Sequence, residues 1–534
     1  MRIVPRLDIK GPNLVKGVHL EGLRVLGKPE DFAYQYYLDG ADELIYMDIV
    51  ASLYGRNNLL EILRRTAEKI FIPLTVGGGI RNMEDIRNVL RAGADKVAIN
   101  TAAIKNPALI KEGARVFGSQ CIVVSIEAKR RNNGSYEAFT DNARQETGVD
   151  VFKWARQAYE LGAGEVLITS IDRDGTGEGF DIELISGISN VVPIPVIACG
   201  GAGSLEDVKD LLRHTNVDAI SAASIFHYNK ITRDVAKENF EEGNIEFLKK
   251  YSKTNSYNFK RIQPLSITEL KSQIEKISPV HIRAVKPDNS NALSMEKDAF
   301  TGPLNNESFV AVVDYNCGNL FSIIHALKEI GANFKVSDDP KVIARADKLL
   351  LPGVGSFETG INNLKMKGLI EPIREHARTS KPLLGICLGM QLLMSESEEF
   401  GSYRGLDLIK GRVVRLQVSQ KNAPHIKIPH IGWNQIRSPR NKNYKNDENS
   451  LWKNTILENV AGGSLMYFVH SYVVLPDNPN HILAETEYGD TTFCSVIQSN
   501  NIYGCQFHPE RSGEIGLKIY RQFVFGAYRQ ALEV

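Results

Sequence analysis

The sequence has little of what marks secreted, metal-binding or membrane proteins. No apolar run reaches the length of a membrane-spanning helix, and no charged segment followed by an apolar one stands at the start. There is no CxxC pair, and six cysteines in 534 residues are too few and too scattered for a disulfide scaffold or a zinc site; they are Cys121, Cys199, Cys317, Cys387, Cys494 and Cys505. We therefore expect a cytoplasmic protein without a metal site or a membrane partner.

An excess of charge of one sign is also missing. Lysine and arginine number 64 and aspartate and glutamate 63, a net charge of +1, so the composition does not favour binding of nucleic acid or anionic lipid. Hydrophobic residues make up 43% of the chain, as in folded globular proteins. At roughly 150 residues per domain, the length predicts several domains or a large barrel with a second domain.

Runs rich in β-branched residues alternate with helix-length segments over residues 1–228. Eight such runs predict a closed (β/α)8 barrel; they lie at residues 3–4, 43–48, 72–76, 96–100, 121–126, 165–169, 196–198 and 219–222. The glycine-rich sequence Gly77-Gly78-Gly79 recurs at Gly200-Gly201, about 120 residues later. This repeat indicates two half-barrels, which an open doubly wound sheet does not require.

The barrel is predicted to occupy residues 1–285, with a polar insertion at about 229–264 before its last helix. Ser266 and Glu269 form a capping-box pattern at the start of that helix. Residues 286–306 are rich in asparagine, serine and proline and are predicted to be a linker. A second α/β domain is predicted at 307–534, with an exposed loop at 438–450.

The second domain carries a cysteine at a predicted strand-to-helix turn, within Gly385-Ile386-Cys387-Leu388-Gly389. Such a turn is typical of a nucleophile elbow, and the helix N-terminus that follows favours the thiolate. His508 and Glu510, two residues apart on a late strand, supply a base and the carboxylate that orients it. The N–H groups for a developing oxyanion are assigned to Gly353, Val354, Gly355 and Leu388.

Each of these features has a structural alternative when taken alone. We interpret the other five cysteines as buried structural residues, and an isolated His508 would more often be a core histidine. Together and in this order, however, the motifs resemble the class I glutamine amidotransferase family over most of the second domain. The resemblance implies that Cys387 attacks the side-chain amide of L-glutamine, forms a glutamyl thioester and releases ammonia, after which water completes the hydrolysis.

Glycine-rich turns follow two barrel strands at equivalent points of the repeat, and a small or polar pair follows the next strand in each half. Backbone N–H and hydroxyl groups in such turns bind phosphate. One glycine turn alone usually only redirects the chain, but the duplication predicts a substrate with a phosphate at each end. The predicted phosphate cradles consist of Gly78, Gly79, Asn100 and Thr101 in one half and Gly200, Gly201, Ala223 and Ser224 in the other.

Two carboxylates, Asp8 at the end of strand one and Glu127 at the end of strand five, are expected across the same barrel mouth. Such a pair divides general acid and base work when its surroundings separate the two pKa values. Taken singly, each is more often a surface charge or a helix cap. Further polar residues in loops after the strands are expected to hold ribose hydroxyls or to order a loop; they are Lys16, Asp48, Asp172 and Asp174.

These motifs closely resemble the cyclase of the imidazole glycerol phosphate synthase family over residues 1–228 and 266–285. The resemblance implies that ammonia attacks a bisphosphorylated formimino carboxamide ribotide and yields imidazole glycerol phosphate and aminoimidazole carboxamide ribotide, without a cofactor. Asp8 matches the catalytic aspartate of strand one, but Glu127 stands where the family carries a second aspartate. One more methylene moves a carboxylate by roughly 1.5 Å, a shift of the size that can cost about 10²-fold in rate. This departure leaves the ammonia acceptor open.

Ammonia has to be kept from water, where most of it is protonated and cannot attack an electrophile. The resemblance places a charged gate at the N-terminal ends of the barrel strands, formed by Arg2, Glu43, Lys96 and Glu165. Charges at strand starts are more often salt bridges that stabilise the fold, but four at matching positions favour a gate. The implied arrangement is a glutaminase and a barrel that associate within one chain and pass ammonia through the barrel.

Three other functions stay open at this point. A paralogue would use the same ammonia transfer to amidinate a nucleotide sugar for surface polysaccharide, an alternative motivated by Glu127 and by the unusual loop at residues 8–13. A regulatory barrel would only sense a bisphosphate. A sugar isomerase would use the paired carboxylates, but it leaves Cys387, His508 and Glu510 without a purpose.

We predict that the protein alone hydrolyses glutamine slowly and that a bisphosphate in the barrel accelerates the hydrolysis. Two distant sites must be coupled if ammonia is not to be wasted. Glutamate release in the presence of a panel of candidate bisphosphates measures this coupling. Equal release with and without every ligand would contradict it.

Overall fold

The computed structural model describes residues 1–50, 59–236, 261–276, 283, 308–419, 426–440 and 451–526. The chain divides into two compact units, Met1–Ala114 with Ser119–Lys286 and Arg115–Gly118 with Pro287–Val534. The predicted linker at 286–306 lies outside the described residues, as do positions 237–260 of the predicted insertion and 441–450 of the predicted loop. No helix in the described ranges is long and apolar enough to cross a membrane.

The first unit contains a closed barrel of parallel strands. Among its described residues, eight strands pair side by side in the order β1, β4, β5, β6, β7, β10, β11, β12, and β12 returns to β1. The eight runs predicted from the sequence correspond to these strands, so the predicted (β/α)8 fold is confirmed. The strands of the unit are β1 (Arg2–Lys10), β2 (Asn13–Val18), β3 (Glu21–Gly27), β4 (Leu44–Asp48), β5 (Leu74–Gly77), β6 (Lys96–Ile99), β7 (Ile122–Arg130), β8 (Tyr136–Thr140), β9 (Gln145–Asp150), β10 (Glu165–Ser170), β11 (Val196–Cys199) and β12 (Ala219–Ala222).

Two antiparallel extensions interrupt the simple strand-helix alternation. Strand β1 continues into the hairpin β2–β3, and strand β7 continues into the hairpin β8–β9. The prediction that Asp8 and Glu127 end their strands is therefore wrong, because β1 runs on to Lys10 and β7 to Arg130. The hairpins occupy the same place in each half-barrel, and they extend the internal repeat beyond the glycine turns.

Amphipathic helices cover the barrel because their apolar residues recur on one face. In α3, for example, Ile86, Val89 and Leu90 are buried and the Asn82 side chain accepts two N–H groups of the first turn. The helices are α1 (Pro29–Leu38), α2 (Leu59–Ala67), α3 (Met83–Arg91), α4 (Thr101–Lys105), α5 (Ala108–Phe117), α6 (Val151–Glu160), α7 (Ile182–Val191), α8 (Leu205–His214), α9 (Ser224–Ala236) and α10 (Ile267–Glu275), with a 3-10 turn at Ser119–Cys121.

Two predictions about the end of the barrel have different outcomes. The insertion at about 229–264 stays a prediction: α9 continues as a helix to Ala236 and buries Ile231, and the chain is described again only from residue 261. The capping box before α10 is confirmed: the Ser266 hydroxyl accepts the N–H of Glu269, and the Glu269 carboxylate accepts the N–H of Ser266.

The second unit is built on a mixed sheet. In its described part, seven strands lie in the order β14-β13-β15-β16-β25-β24-β23, parallel as far as β25 and antiparallel after it. Its strands are β13 (Val310–Val313), β14 (Phe334–Ser337), β15 (Lys348–Leu351), β16 (Leu383–Ile386), β17 (Glu396–Ser397), β18 (Tyr403–Arg404), β19 (Gly411–Arg415), β20 (His430–Gln435), β21 (Leu465–His470), β22 (Tyr472–Pro476), β23 (Ile482–Tyr488), β24 (Thr491–Ser499) and β25 (Ile502–Cys505).

Helices pack on this sheet and bury a continuous apolar core with it. Strands β18, β17, β19 and β22 form a separate small sheet, and β20 pairs with β21. The helices are α11 (Leu320–Glu329), α12 (Pro340–Arg345), α13 (Phe357–Met366), α14 (Ile370–Arg378), α15 (Leu388–Leu392) and α16 (Gly513–Phe525), with 3-10 turns at Pro479–His481 and Pro509–Arg511.

We predict that Ser266→Ala destabilises the barrel unit by about 1 kcal/mol, because the first turn of α10 loses its capping acceptor. Thermal unfolding should show the barrel transition about 2 °C lower. Ser189→Ala is the matched control: its hydroxyl is buried in α7 without a hydrogen-bond partner, so its loss should leave the transition unchanged or raise it. Equal melting of the Ser266→Ala variant and the wild type would contradict the capping role.

Candidate active site

Cys387 stands at a strained turn between β16 and α15. Its backbone has φ of 51° and ψ of −106°, a conformation that residues other than glycine rarely adopt. The Cys387 N–H donates to the Cys505 carbonyl at 2.7 Å, and the Cys387 carbonyl accepts the N–H of Gln391 at 3.1 Å. These bonds hold the turn in the form of a nucleophile elbow, with the sulfur at the start of a helix.

The base and its orienting carboxylate follow the neighbouring strand. Because β25 pairs with β16, with Cys505 opposite Ile386, the chain after β25 brings His508 to the elbow. The Nδ1 of His508 lies 2.7 Å from Oε1 of Glu510, and the Tyr520 hydroxyl donates to Oε2 at 3.2 Å. With Nδ1 bound in this way, Nε2 is the ring nitrogen available to the thiol.

The charges around His508 favour its protonated form. Burial lowers the pKa of His508, but the charges of Glu510 and Cys387 outweigh burial and hold that pKa well above its usual value. Burial raises the pKa of Glu510, yet the neighbouring imidazole makes the net shift downward. The site therefore suits an ion pair of carboxylate and imidazolium beside the sulfur.

The residues predicted to stabilise an oxyanion lie against the elbow. A Cβ on Gly389 would stand 1.9 Å from the carbonyl oxygen of Leu351, so the end of β15 and the start of α15 touch directly. Gly353 also lies against the Leu388 side chain. Within the described ranges, no hydrogen bond is donated by the N–H groups of the four predicted residues, Gly353, Val354, Gly355 and Leu388. These groups are therefore available to a ligand.

The barrel mouth contains a cavity of about 350 Å³. It is lined by six of the residues predicted for the acceptor site: Asp48, Gly78, Gly79, Asn100, Thr101 and Glu127. Arg6, Arg81 and Lys105 add positive charge to the same lining. Predicted residues that do not line this cavity are Asp8, Lys16, Asp172, Asp174, Gly200, Gly201, Ala223 and Ser224.

The first phosphate cradle lies within the lining, and its counterpart repeats its backbone geometry. Gly78 has φ of +94°, and a Cβ there would stand 2.1 Å from the carbonyl oxygen of Asp48, so only glycine fits. Gly200 has the same φ of +94°. Helix α4 begins at Thr101 and α9 begins at Ser224, so a helix N-terminus follows the next strand in each half. This symmetry agrees with two anion sites at one end of the barrel.

Asp8 is held by two cations. Its Oδ1 accepts a hydrogen bond from Arg6 Nε at 2.7 Å, and its Oδ2 lies 3.8 Å from Lys16 Nζ. Burial raises the pKa of Asp8, but Arg6 and Lys16 outweigh burial and lower that pKa from its usual value. Lys16, predicted in a βα loop, instead lies on β2, from which it also contacts both oxygens of Asp174 at 3.0 Å.

Glu127 has a different environment from Asp8. Its Oε2 accepts the N–H of Ala143 at 2.8 Å, and the side chain is 5% exposed. Burial, with smaller contributions from Asp8 and Asp141, raises the pKa of Glu127 to about 7 even though Arg6 lowers it. The two carboxylates thus have pKa values that are shifted in opposite directions, as a division of acid and base work requires.

Two of the remaining predicted residues bond to nearby backbone. Asp172 Oδ2 accepts the N–H of Arg130 at 2.8 Å, which fits the loop-ordering alternative rather than contact with a ribose. Asp48 Oδ1 accepts the N–H of Val50 at 3.0 Å while Asp48 lines the cavity.

The four residues predicted as a gate form a closed ring of alternating charge. Arg2 donates to Glu43 at 2.7 Å and to Glu165 at 2.5 Å, and Lys96 donates to the second oxygen of each, at 2.7 and 2.6 Å. All four are almost fully buried at the N-terminal ends of the strands, opposite the glycine turns. The ring satisfies its own charges, as burial demands.

Two polar residues in these sites were not predicted from the sequence. Arg6 lines the barrel cavity, and it was detectable as a charged residue in an apolar strand, on the same strand face as Asp8. Gln506 Nε2 lies 3.6 Å from Cys387 Sγ and lies close enough to Gln391 for a hydrogen bond. No spacing in the sequence indicated this contact.

Comparisons with known proteins match each half of the chain to a known family. A family described as "Histidine biosynthesis protein" matches residues 2–232, and "Glutamine amidotransferase class-I" matches residues 311–527. The chain is similar to imidazole glycerol phosphate synthase subunit HisF of Legionella pneumophila, with 65% identity over 207 residues, covering 39% of this chain and 98% of that protein. It is also similar to the HisF subunit of Methanopyrus kandleri, with 48% identity over 259 residues, covering 45% of this chain and 95% of that protein.

We predict that Glu127→Gln stabilises the barrel unit at alkaline pH. The folded-state pKa of about 7 lies above the ordinary 4.5, so the stability from the protonated form is complete below pH 4.5 and is lost as the pH rises through 7. Glutamine does not ionise, and the variant should therefore gain about 3 kcal/mol over the wild type at pH 8.

Unfolding of the barrel transition at pH 5 and pH 8 measures this difference. Most of the gain should disappear at pH 5. Glu112→Gln, on the exposed surface of α5, is the matched control and should show no such dependence on pH. An unchanged difference between Glu127→Gln and wild type at the two pH values would disprove the raised pKa.

Proposed function

The chain belongs to the family of the imidazole glycerol phosphate synthase subunit HisF and carries a class I glutamine amidotransferase domain, and from this premise we propose how it performs imidazole glycerol phosphate synthase activity in histidine biosynthesis. The second unit hydrolyses L-glutamine, and the barrel uses the ammonia. The observation that carries this proposal is the presence, in one chain, of a strained cysteine elbow with its His508–Glu510 pair and a HisF-like barrel whose mouth contains a cavity lined by a glycine turn and three cationic side chains.

In the glutaminase half, Cys387 is the nucleophile. Its thiol gives the proton to Nε2 of His508, and the thiolate attacks the amide carbon of glutamine. The free N–H groups near Gly353 and Leu388 stabilise the oxyanion that forms. His508 then gives its proton to the leaving nitrogen, ammonia departs, and water hydrolyses the glutamyl thioester. Glu510 holds the imidazole in position throughout.

In the barrel half, the acceptor is the bisphosphorylated formimino carboxamide ribotide. The cradle at Gly78 and Thr101 binds one phosphate and the equivalent cradle at Gly200 and Ser224 binds the other. Glu127 transfers protons, because its pKa near 7 lets it both take and give a proton at neutral pH. Asp8, kept ionised by Arg6 and Lys16, stabilises positive charge on the substrate nitrogen.

Ammonia reaches the acceptor through the barrel. The ring of Arg2, Glu43, Lys96 and Glu165 is the only entrance we assign, and it blocks water and ammonium while its bonds are made. Movement of one cation, Lys96 or Arg2, opens it.

A second candidate acceptor is favoured by two features of the carboxylate pair. The strand-one carboxylate of this chain is bound by Arg6, and Glu127 replaces the family's second aspartate. A changed pair of this kind fits amidination of a nucleotide sugar with the same ammonia supply. Growth of a histidine auxotroph separates the two acceptors.

We predict that the protein restores growth without histidine to a strain that lacks the synthase. Cys387→Ala should abolish growth at low ammonium and support it at high ammonium, because added ammonia replaces the product of glutamine hydrolysis. In vitro, this variant should lose glutamine-dependent synthesis and keep ammonium-dependent synthesis. Cys494→Ala, which removes another buried thiol of the same unit, is the matched control and should keep both.

Two outcomes decide against this function. Failure of a folded, glutaminase-active wild type to restore growth would favour the nucleotide sugar. Loss of ammonium-dependent synthesis in Cys387→Ala would contradict the assignment of ammonia production to the second unit.

A further inference from the structure

One cation inside the barrel has more hydrogen-bond donors than its protein partners use. Arg6 is 2% exposed and lies on β1 among fully buried apolar residues such as Val4 and Leu7. Removing a guanidinium from water is costly unless each of its donors is satisfied. Its contacts therefore show which donors the fold satisfies and which remain for a ligand.

Three contacts hold the guanidinium in one place. Nε donates to Asp8 Oδ1 at 2.7 Å, and Nη1 donates to Thr169 Oγ1 at 3.1 Å and to Cys199 Sγ at 3.7 Å. Within the described part of the chain, Nη2 has no hydrogen-bond partner, and Arg6 is one of the residues that line the cavity. A fixed cation thus presents unused N–H donors to a molecule in the cavity.

The strand pairing sets Arg6 beside Glu127. Thr169, which accepts from Arg6, is the direct partner of Glu127 in the register of β10 and β7. Paired residues of neighbouring parallel strands point to the same side of a sheet. The Arg6 head group and the Glu127 carboxylate therefore face the same part of the barrel interior, and both line the cavity.

Neutralising the charge of Asp8 does not by itself explain why Arg6 is placed with unused N–H donors in the cavity lining. Lys16 already stands 3.8 Å from the second oxygen of Asp8, and Nε alone makes the short bond to the first. A guanidinium is always charged and only donates, so the ligand atom that Nη2 binds must be electron-rich oxygen or unprotonated nitrogen. The phosphates of the acceptor are assigned to the glycine cradles, and among its other oxygens the one at the reacting centre belongs beside Glu127, which Arg6 faces across the cavity.

We propose that Arg6 binds the carbonyl oxygen of the acceptor at the carbon that ammonia attacks. This inference rests on the proposed function, because it takes the barrel cavity as the acceptor site. The oxygen gains negative charge as the bond to nitrogen forms, and a preorganised cation beside it stabilises that charge in a site without bulk water. Arg6 is then a catalytic residue of the barrel, together with Glu127.

The step balances with the groups present. The lone pair of ammonia forms the bond to carbon, and the π pair of the carbonyl moves to oxygen, where Nη2 of Arg6 donates to it. The Glu127 carboxylate takes one proton from the new ammonium nitrogen. Glu127 then gives this proton to the oxygen, which leaves a neutral carbinolamine and an ionised Glu127.

Arg6→Lys tests the proposal in the full-length protein, with ammonium chloride as the nitrogen source and the ribotide as the acceptor. Lysine keeps a cation beside Asp8 but removes the Nη2 donors. We expect kcat for acceptor turnover to fall about 10²-fold, with a much smaller rise in KM. A kcat equal to that of the wild type would overturn the proposal, because it would reduce Arg6 to a counter-ion.

Cys199→Ala is the matched control. It removes the weakest contact of Arg6 and leaves Nη2 in place, so its kcat should equal that of the wild type. A loss in this variant as large as in Arg6→Lys would overturn the proposal, because it would assign the effect to packing around the guanidinium.

A measurement on the unaltered protein decides the question if Arg6→Lys does not fold. The ribotide, labelled with ¹³C at the attacked carbonyl, is bound without ammonia or glutamine and observed by isotope-edited infrared spectroscopy. Hydrogen bonds from Arg6 should lower the carbonyl stretching frequency below its value in water. A frequency equal to or above that in water would overturn the proposal.

The same experiments separate failure of this inference from failure of the proposed function. A wild type that binds the ribotide, with a lowered carbonyl frequency, but does not convert it would overturn the function and support the contact with Arg6. Conversion by wild type and Arg6→Lys at equal kcat would support the function and overturn the inference. No binding of ribotide by the wild type would overturn both.

Discussion

The barrel depends on the pairing of charges that its closure removes from water. Arg2, Glu43, Lys96 and Glu165 neutralise one another at one end, and Arg6, Asp8, Lys16 and Asp174 do so towards the other. Buried ions of this kind are tolerated only when each has partners. Glu127 instead accepts a hydrogen bond from backbone. Burial raises the pKa of Glu127 to about 7 although this hydrogen bond and Arg6 lower it, and Glu127 is therefore the carboxylate of the mouth suited to exchanging protons near neutral pH.

In the second unit, the order of the strands brings the catalytic residues together. A cysteine nucleophile needs a base beside its sulfur and N–H donors beside the substrate oxygen that becomes negatively charged. No single strand supplies the sulfur, the base and the donors. The parallel order β15, β16, β25 places the three required segments side by side: the oxyanion turn, the elbow at Cys387 and the approach to His508. To turn sharply from β16 into α15 at this place, Cys387 adopts a strained backbone conformation with positive φ.

The two halves of the barrel have the same arrangement of strands and hairpins but different side chains around their carboxylates. Equivalent hairpins extend β1 and β7, and Asp8 and Glu127 lie where each strand passes into its hairpin, opposite Val15 and Phe139. The two hairpins provide different partners for the two carboxylates. The first contributes Lys16, a cation, to Asp8, whereas the loop after β8 contributes only the N–H of Ala143 to Glu127. The two half-barrels thus share a scaffold but place their carboxylates in chemically unequal surroundings.

The sequence by itself determined the fold and the motifs. Eight β-branched runs and a repeat predicted the barrel, and the motifs around Cys387, His508 and Glu510 predicted the glutaminase. Both predictions were possible because strand periodicity and turn conformation depend on residues that are close in the sequence. Only the tertiary structure decided the pairing of charges. Arg6 meets Asp8 two residues away but meets Thr169 from a distant strand, and Lys16 reaches Asp174 across the mouth. Burial and distance between such residues depend on how the ring of strands closes, and these quantities set the pKa values of the carboxylates.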